Sequence, residues 1–254
     1  MAFEPSRSSG PYPVQVPEAA EQPPLPIGFA HRGARSERPE NTIAAFARAL
    51  ELGATGLESD AWITADGVVV LDHDGVTGPV WRRRAISAQA RGELPDHIPS
   101  LEDLFHGCGA EYELSLDVKD PAALEGIVGA SEAAGITTRL WLCHHDWRLL
   151  AGWKSRVGGA HLVESTRVSW MSEGLGPRAH TLKQAGIDAL NLHRGEWDPG
   201  RVADVHGAGL YALGWDAQSA DDISRLLDLG LDGIYSDHVG RMMAGVKARL
   251  GPRG

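Results

Sequence analysis

Glu58 and Asp60 stand two residues apart in the run Gly56-Leu57-Glu58-Ser59-Asp60-Ala61. On an extended strand that spacing turns both carboxylates to one face. Two like charges held together call for a cation. A third carboxylate, Asp117, would complete a set of oxygen ligands suited to a hard ion such as Mg²⁺ or Ca²⁺ rather than zinc. Taken alone, an E-x-D pair also reads as a structural ion pair with a nearby Arg or Lys. Two histidines in comparable settings, His31 and His73, carry imidazoles that titrate near neutral pH and so suit general acid and base work, the assignment between them being open.

These residues must be brought together by the elements that carry them. From Ile27 onward, short apolar or β-branched runs alternate with longer helical patterns. The strand candidates are Ile27 to His31, Gly56 to Ala61, Glu113 to Val118, Arg139 to Cys143, Ala160 to Glu164, Ala189 to Leu192, Leu210 to Gly214 and Gly233 to Ser236. A short extra strand, Val68 to Asp72, follows the second, and helical patterns such as Thr42 to Leu52, Pro121 to Ala134 and Ala220 to Leu229 lie between strands. Eight strand-then-helix cycles match a (β/α)₈ TIM barrel in size and order. An open doubly wound sheet is the alternative, but no G-x-G-x-x-G follows the first strand. In a barrel the chemistry belongs at the C-terminal strand ends. His31, Glu58, Asp60, Asp117 and Lys119 all fall there, and His73 and Asp74 follow the extra strand.

The ordered set His31-Arg32-Gly33, Pro39-Glu40-Asn41-Thr42 with Ala45-Phe46, Glu58-x-Asp60, Asp66-Gly67 and His73-Asp74 resembles the glycerophosphodiester phosphodiesterase family. The resemblance continues through Ile98-Pro99-Ser100-Leu101-Glu102, Leu116-Asp117-Val118-Lys119 and Gly230-Leu231-Asp232-Gly233-Ile234-Tyr235-Ser236-Asp237. It implies a TIM barrel, one divalent metal ion, and hydrolysis of a phosphodiester to glycerol 3-phosphate and an alcohol. Carried over by position, it makes Glu58, Asp60 and Asp117 metal ligands and His31 and His73 the acid–base pair. Arg32 would hold a phosphate oxygen, Lys119 would add positive charge, and Trp215 would pack against the glycerol moiety. A metal and a guanidinium would together neutralise charge building up on phosphoryl oxygens. Glu40 either contacts metal or substrate or helps start the following helix, with Asn41 or Thr42 as its cap.

The chain departs from the family pattern at three places. Asp117 stands where relatives commonly carry Glu, which draws that carboxylate back by one methylene. Leu213-Gly214-Trp215-Asp216 replaces the usual Trp-Thr-Val-Asn, and His238 follows Asp237 where Pro is frequent. Two other clusters stand out. In Cys143-His144-His145-Asp146 we expect His145 to line the mouth or to be a satisfied interior histidine rather than a second metal ligand. Arg82-Arg83-Arg84 reads as a solvated charge run or a contact for an anionic head group.

Composition narrows the function classes. With 34 acidic against 24 basic residues, the net charge of -10 disfavours nucleic acid as a partner. Two cysteines, Cys108 and Cys143, make no disulfide framework and fit a reducing cytoplasm. No apolar run is long enough for membrane insertion and no secretory signal opens the chain. The first 26 residues carry 7 of the 15 prolines and read as a disordered tail, with residues 27–254 forming the barrel domain. The partner expected is therefore a small-molecule phosphodiester. The competing readings are a phospholipase-D-like phosphodiesterase on lysolipids, which an exposed membrane-docking loop would favour, and a non-catalytic barrel that binds phosphate ligands.

Overall fold

A computed structural model describes residues 26–250. The expected tail, apart from Pro26, and residues 251–254 lie outside the described residues. In chain order the elements are β1 (Ile27–His31), α1 (Ile43–Glu51), β2 (Gly56–Ile63), β3 (Val69–Leu71), β4 (Val76–Thr77), β5 (Arg84–Ala85), α2 (Leu101–Cys108), β6 (Glu113–Val118), α3 (Leu124–Ala133) and β7 (Leu140–His144). There follow α4 (Trp147–Trp153), β8 (His161–Ser165), α5 (Leu175–Gln184), β9 (Ala189–His193), α6 (Pro199–Gly207), β10 (Tyr211–Trp215), α7 (Ala220–Asp228), β11 (Gly233–Ser236) and α8 (Val239–Leu250).

Eight parallel strands run β1-β11-β10-β9-β8-β7-β6-β2, and β2 pairs back onto β1, closing the barrel. The fold is the TIM barrel expected from the sequence. Its helices start where the sequence supplies caps: Thr42, Ser100, Asp146, Asp198 and Ser219 each accept a backbone N–H in the first turn of α1, α2, α4, α6 and α7. Each helix then turns an apolar stripe inward, as α7 does with Ile223, Leu226 and Leu227.

Strand alternation sorts the core into two shells. Leu57, Leu114, Leu116, Leu140, Leu142, Leu162, Leu190, Leu192 and Ile234 point outward against the helices. Ile27, Phe29, Trp141, Cys143, Val163, Leu213 and Tyr235 fill the barrel interior. The floor is aromatic: Phe29 stacks on Tyr235 at 4.6 Å and meets Trp141 edge-on at 6.1 Å, while Trp141 stacks on His161 at 4.1 Å. A floor sealed by large side chains forces any ligand to enter from the C-terminal rim.

Three strands, β7, β8 and β10, are each displaced by one residue toward the C-terminus relative to the sequence reading, and β9 also gains one residue there. The added residues are His144, Ser165, His193 and Trp215. Polar character makes such positions read as loop, yet their backbones still pair with the neighbouring strand. β2 is longer because Ala61 to Ile63 pair with β3, which runs antiparallel above the rim.

Candidate active site

The registers between strands bring the sequence candidates together. Parallel pairing sets His31 beside Glu58 on β1 and β2, and Asp60 beside Asp117 on β2 and β6. Glu58 and Asp60 face the same way, as their spacing requires. With His31, Arg32, Asp117, Lys119 and Trp215 they line a cavity of about 380 Å³ at the C-terminal rim.

A tight turn immediately after β1 places Arg32. Arg32 has a φ of 54° and Gly33 a φ of 78°. A Cβ on Gly33 would sit 2.7 Å from the Ala45 carbonyl carbon, so only glycine fits. The turn aims the Arg32 N–H at Glu58 Oε2, to which it donates at 2.9 Å, and carries the guanidinium to Glu40 Oε1 at 3.1 Å. Glu40 also holds Arg35, at 2.9 Å. Thr42 caps α1 and Glu40 is a clamp for two arginines, so the two roles open at that turn fall to different residues. Among the described residues, the non-glycine positions with left-handed backbone are Arg32, Asn41 and Asp216. Arg32 and Asp216 line the cavity, and Asn41 donates its N–H to the Arg32 carbonyl while accepting from Ser59 Oγ at 2.7 Å. Such strain persists only where surrounding contacts hold it, and here it surrounds one cavity.

The carboxylates are short of positive charge. Burial pushes the Glu58 carboxyl up to about 7; Asp60 adds to this, and His31 and Arg32 only partly offset it. Asp60 is buried, with Lys119 Nζ 3.3 Å from Oδ1 and Arg32 Nε 3.3 Å from Oδ2. That second approach lacks hydrogen-bond geometry, leaving Asp60 Oδ2 without a donor. Lys119 also pairs with Asp117 at 2.5 Å. Both readings of the E-x-D pair thus have a physical basis here. Asp60 and Asp117 are ion-paired to Arg32 and Lys119. Among the described residues no three such side chains converge as a ready-made metal cluster. Yet a buried carboxylate oxygen with no donor, beside a carboxyl that resists ionisation, is a donor set that suits a hard cation.

His31 is fixed by a residue the sequence reading left without a role. Its Nδ1–H donates to Asp237 Oδ1 at 2.7 Å, which turns Nε2 toward Glu58, 3.9 Å away. Burial works to lower the His31 pKa, but Glu58 and the Asp237 hydrogen bond outweigh it and the net shift is upward. The signal for Asp237 was strand parity: Gly233 and Tyr235 face inward on β11, and Asp237 continues that series just past the strand. Gln218 holds the same corner, accepting from the Asp237 N–H at 3.1 Å and donating to Asp216 at 3.2 Å. Asp216 also receives His193 Nε2 and Arg194 Nε, each at 3.2 Å.

His73 is not among the cavity's lining residues. It is exposed on the rim, where its ring contacts Asp74 Oδ1 at 2.9 Å. The turn that carries it begins at Asp72, whose N–H donates to the Asp60 carbonyl at 3.0 Å. Trp215 closes β10 and lines the cavity, with His193 edge-on at 4.6 Å and the Arg167 guanidinium 5.0 Å from its ring centre. Beneath the cavity Cys143, Ser115 and Tyr235 form a buried hydrogen-bonded cluster, and burial raises the Cys143 thiol to about 12, a poor nucleophile. In the next turn His144 is the buried histidine, its Nδ1 accepting from the Asp146 N–H, and His145 stacks on it from the exposed side. Asp146 caps α4.

A closed (β/α)₈ barrel whose rim joins guanidinium and ammonium groups to buried carboxylates and a carboxylate-anchored imidazole is built for hydrolysing a charged phosphate ester. Residues 31–119 match the model of the glycerophosphoryl diester phosphodiesterase family. Over 237 residues the chain is 29% identical to the Mycobacterium tuberculosis protein named "Probable glycerophosphodiester phosphodiesterase 2", covering 83% of this chain and 87% of that one. Among solved structures, a glycerophosphodiester phosphodiesterase from Parabacteroides distasonis superposes with a TM-score of 0.74 at 21% identity, covering 89% of this chain and 98% of that one. An Oleispira antarctica phosphodiesterase, in complex with the product sn-glycerol-3-phosphate, gives 0.73 at 21%, covering 87% and 97%. In sequence and in fold the chain is similar to the glycerophosphoryl diester phosphodiesterases, and it is a phosphoric diester hydrolase.

Proposed function

We propose that this enzyme hydrolyses small glycerophosphodiesters to glycerol 3-phosphate and an alcohol with the help of one divalent metal ion, Mg²⁺ or Ca²⁺. The observation that carries the reading is Asp60 Oδ2, a buried carboxylate oxygen without a donor on a residue that lines the cavity together with Glu58. Glu58, Asp60 and Asp117 would hold the ion, which when bound supplies charge neutralisation and acidifies a hydroxyl. Arg32 binds a non-bridging phosphate oxygen through its guanidinium, and Lys119 adds a second positive charge. Trp215 offers an apolar wall for the glycerol carbons. His31 exchanges its proton through Nε2, because Nδ1–H is committed to Asp237. His73 is the partner acid or base on the rim. The glycerol 3-phosphate bound to the Oleispira antarctica relative supports the same product here. Two free thiols, Cys108 and the buried Cys143, are consistent with work in the cytoplasm.

A second reading, phospholipase-D-like cleavage of lysolipids, is favoured by an exposed Trp81 on the active rim. Product analysis separates the two. Metal-stripped protein is incubated with glycerophosphocholine or a lysolipid, with and without Mg²⁺, Ca²⁺ or Mn²⁺, beside His31→Ala. Metal-dependent glycerol 3-phosphate release that vanishes in the variant is the expected result. Turnover of lysolipid alone would replace the first reading with the second, and no turnover of either would reject both.

A further inference from the structure

Among the described residues, the large hydrophobic side chains left exposed are Val80 at 78%, Trp81 at 87% and Trp170 at 62%. All three lie in connections that leave the C-terminal ends of barrel strands, Val80 and Trp81 between β2 and β6 and Trp170 between β8 and α5. They therefore share the rim that opens the active-site cavity, and none lies on the opposite rim.

The Val80–Trp81 turn is built rather than loose. It caps the β4–β5 hairpin, whose base is anchored by the fully buried Ile86. Gln89, also buried, donates to the carbonyls of Arg84 and Ala85 and accepts from Thr77. A hydrogen-bonded platform that holds an indole out in water has a surface to meet.

Charge says what kind of surface. Residues 75–92 contain four arginines and no Asp or Glu, in a chain of net charge -10. Arg84 is paired with Glu93 and Arg91 with Asp103, but Arg82 and Arg83, directly after Trp81 and exposed, make no ion pair among the described residues. Three residues before Trp170, Arg167 is exposed as well. Indole rings favour the boundary between lipid tails and water, and arginines beside them favour anionic head groups.

We propose that the active rim docks reversibly on an anionic lipid surface through Val80, Trp81 and Trp170, with Arg82 and Arg83 facing the head groups. Shallow docking of this kind needs neither a spanning helix nor a basic amphipathic helix. It would turn the cavity mouth toward the membrane, where products of lipid deacylation are released. The inference stands on exposure and charge, not on the reaction proposed above.

The test is co-sedimentation of the full chain with sucrose-loaded vesicles of phosphatidylcholine, with and without phosphatidylglycerol. Wild type pellets with the anionic vesicles, stays in solution with the neutral ones, and is released by added salt. Trp81→Ser and the double variant Arg82→Gln/Arg83→Gln each lose about tenfold or more in partitioning. Both keep the wild-type circular dichroism and the wild-type rate on water-soluble glycerophosphocholine, so a failed reaction and a failed docking read separately. Wild type that ignores both vesicles, binds both alike, or binds anionic vesicles as well after Trp81→Ser would overturn the proposal. So would a Trp81-dependent dimer without vesicle binding, which would make a second copy the occupant.

Discussion

Asp60 and Asp117 sit side by side in register on adjacent strands, and one ammonium, that of Lys119, reaches both carboxylates, at 3.3 Å and 2.5 Å. Burial alone would lower the Lys119 pKa, but the two carboxylates raise it, so this cation is held firmly charged. Removing the ammonium leaves Asp117 facing Asp60 with Arg32 as the one remaining paired cation between them. Lys119→Met should therefore lower turnover by on the order of a hundredfold while raising the affinity for Ca²⁺ or Mn²⁺, because less positive charge then competes with the ion. Calorimetric titration beside steady-state kinetics checks both, and unchanged ion affinity would show that Lys119 does not share the ion's carboxylates.

The His31–Asp237 bond predicts a displaced pH profile. Asp237 raises the pKa of His31, so Asp237→Asn should lower it, and whichever limb of the pH–rate curve belongs to His31 moves to lower pH. Turnover should fall by roughly tenfold to a hundredfold through loss of the fixed ring orientation. A uniform fall with an unmoved profile would make Asp237 a packing residue only.

Glu58 ties stability to pH. Its carboxyl is raised from 4.5 to about 7, so between those values the folded protein keeps a proton that the unfolded chain has released. Stability from this group accordingly falls as pH rises through that window, by on the order of 3 kcal/mol in the metal-free protein. Urea denaturation at pH 5 and pH 8 in chelator should show a shallower decline for Glu58→Gln than for wild type. Glu164, also raised to about 7 by burial against the pull of Arg178, contributes equally to both proteins and cancels in the difference. Equal slopes would remove Glu58 as the source.

Asn41 holds a left-handed backbone at φ 53° and is buried, accepting from Ser59. Asn41→Ala loses the side-chain partner and keeps the strain, which should cost about 2 kcal/mol of stability. Because relaxation of that strained turn would shift the backbone N–H of residue 41 that supports the Arg32 carbonyl, KM should rise as well. A variant equal to wild type in both respects would mean that the turn around Arg32 is held without it.

Much of the barrel was legible because its strands are short apolar runs at regular spacing. Three of the eight, β1, β6 and β11, have the very bounds that pattern marks. The errors cluster at rim positions such as His144, Ser165, His193 and Trp215, where a polar or aromatic side chain serves the cavity while its backbone still serves the sheet. The same duality explains what was missed in the site. Asp237 acts across the seam between first and last strands, where parity on β11 turns it inward but no local spacing announces a partner some two hundred residues away, and Gln218 is placed by the corner it shares with Asp216 and Asp237. His73 shows the converse. A strong motif placed it near Asp60 along the chain, but its exposed ring is set by the turn after β3. Net charge is a coarse guide beside position, since a total of -10 coexists with the acid-free stretch at Arg82–Arg84 that the sequence itself marks.

The pairing of β1 with β11 has a consequence for the order in which the enzyme comes into being. His31 is among the earliest parts of the barrel to leave the ribosome, and Asp237, its anchor, is among the latest. A nascent chain carries its imidazole for most of its synthesis without the contact that aims it. Hydrolytic competence thus arrives as a single late event, when the ring shuts, and a chain stalled short of its eighth barrel strand remains chemically silent.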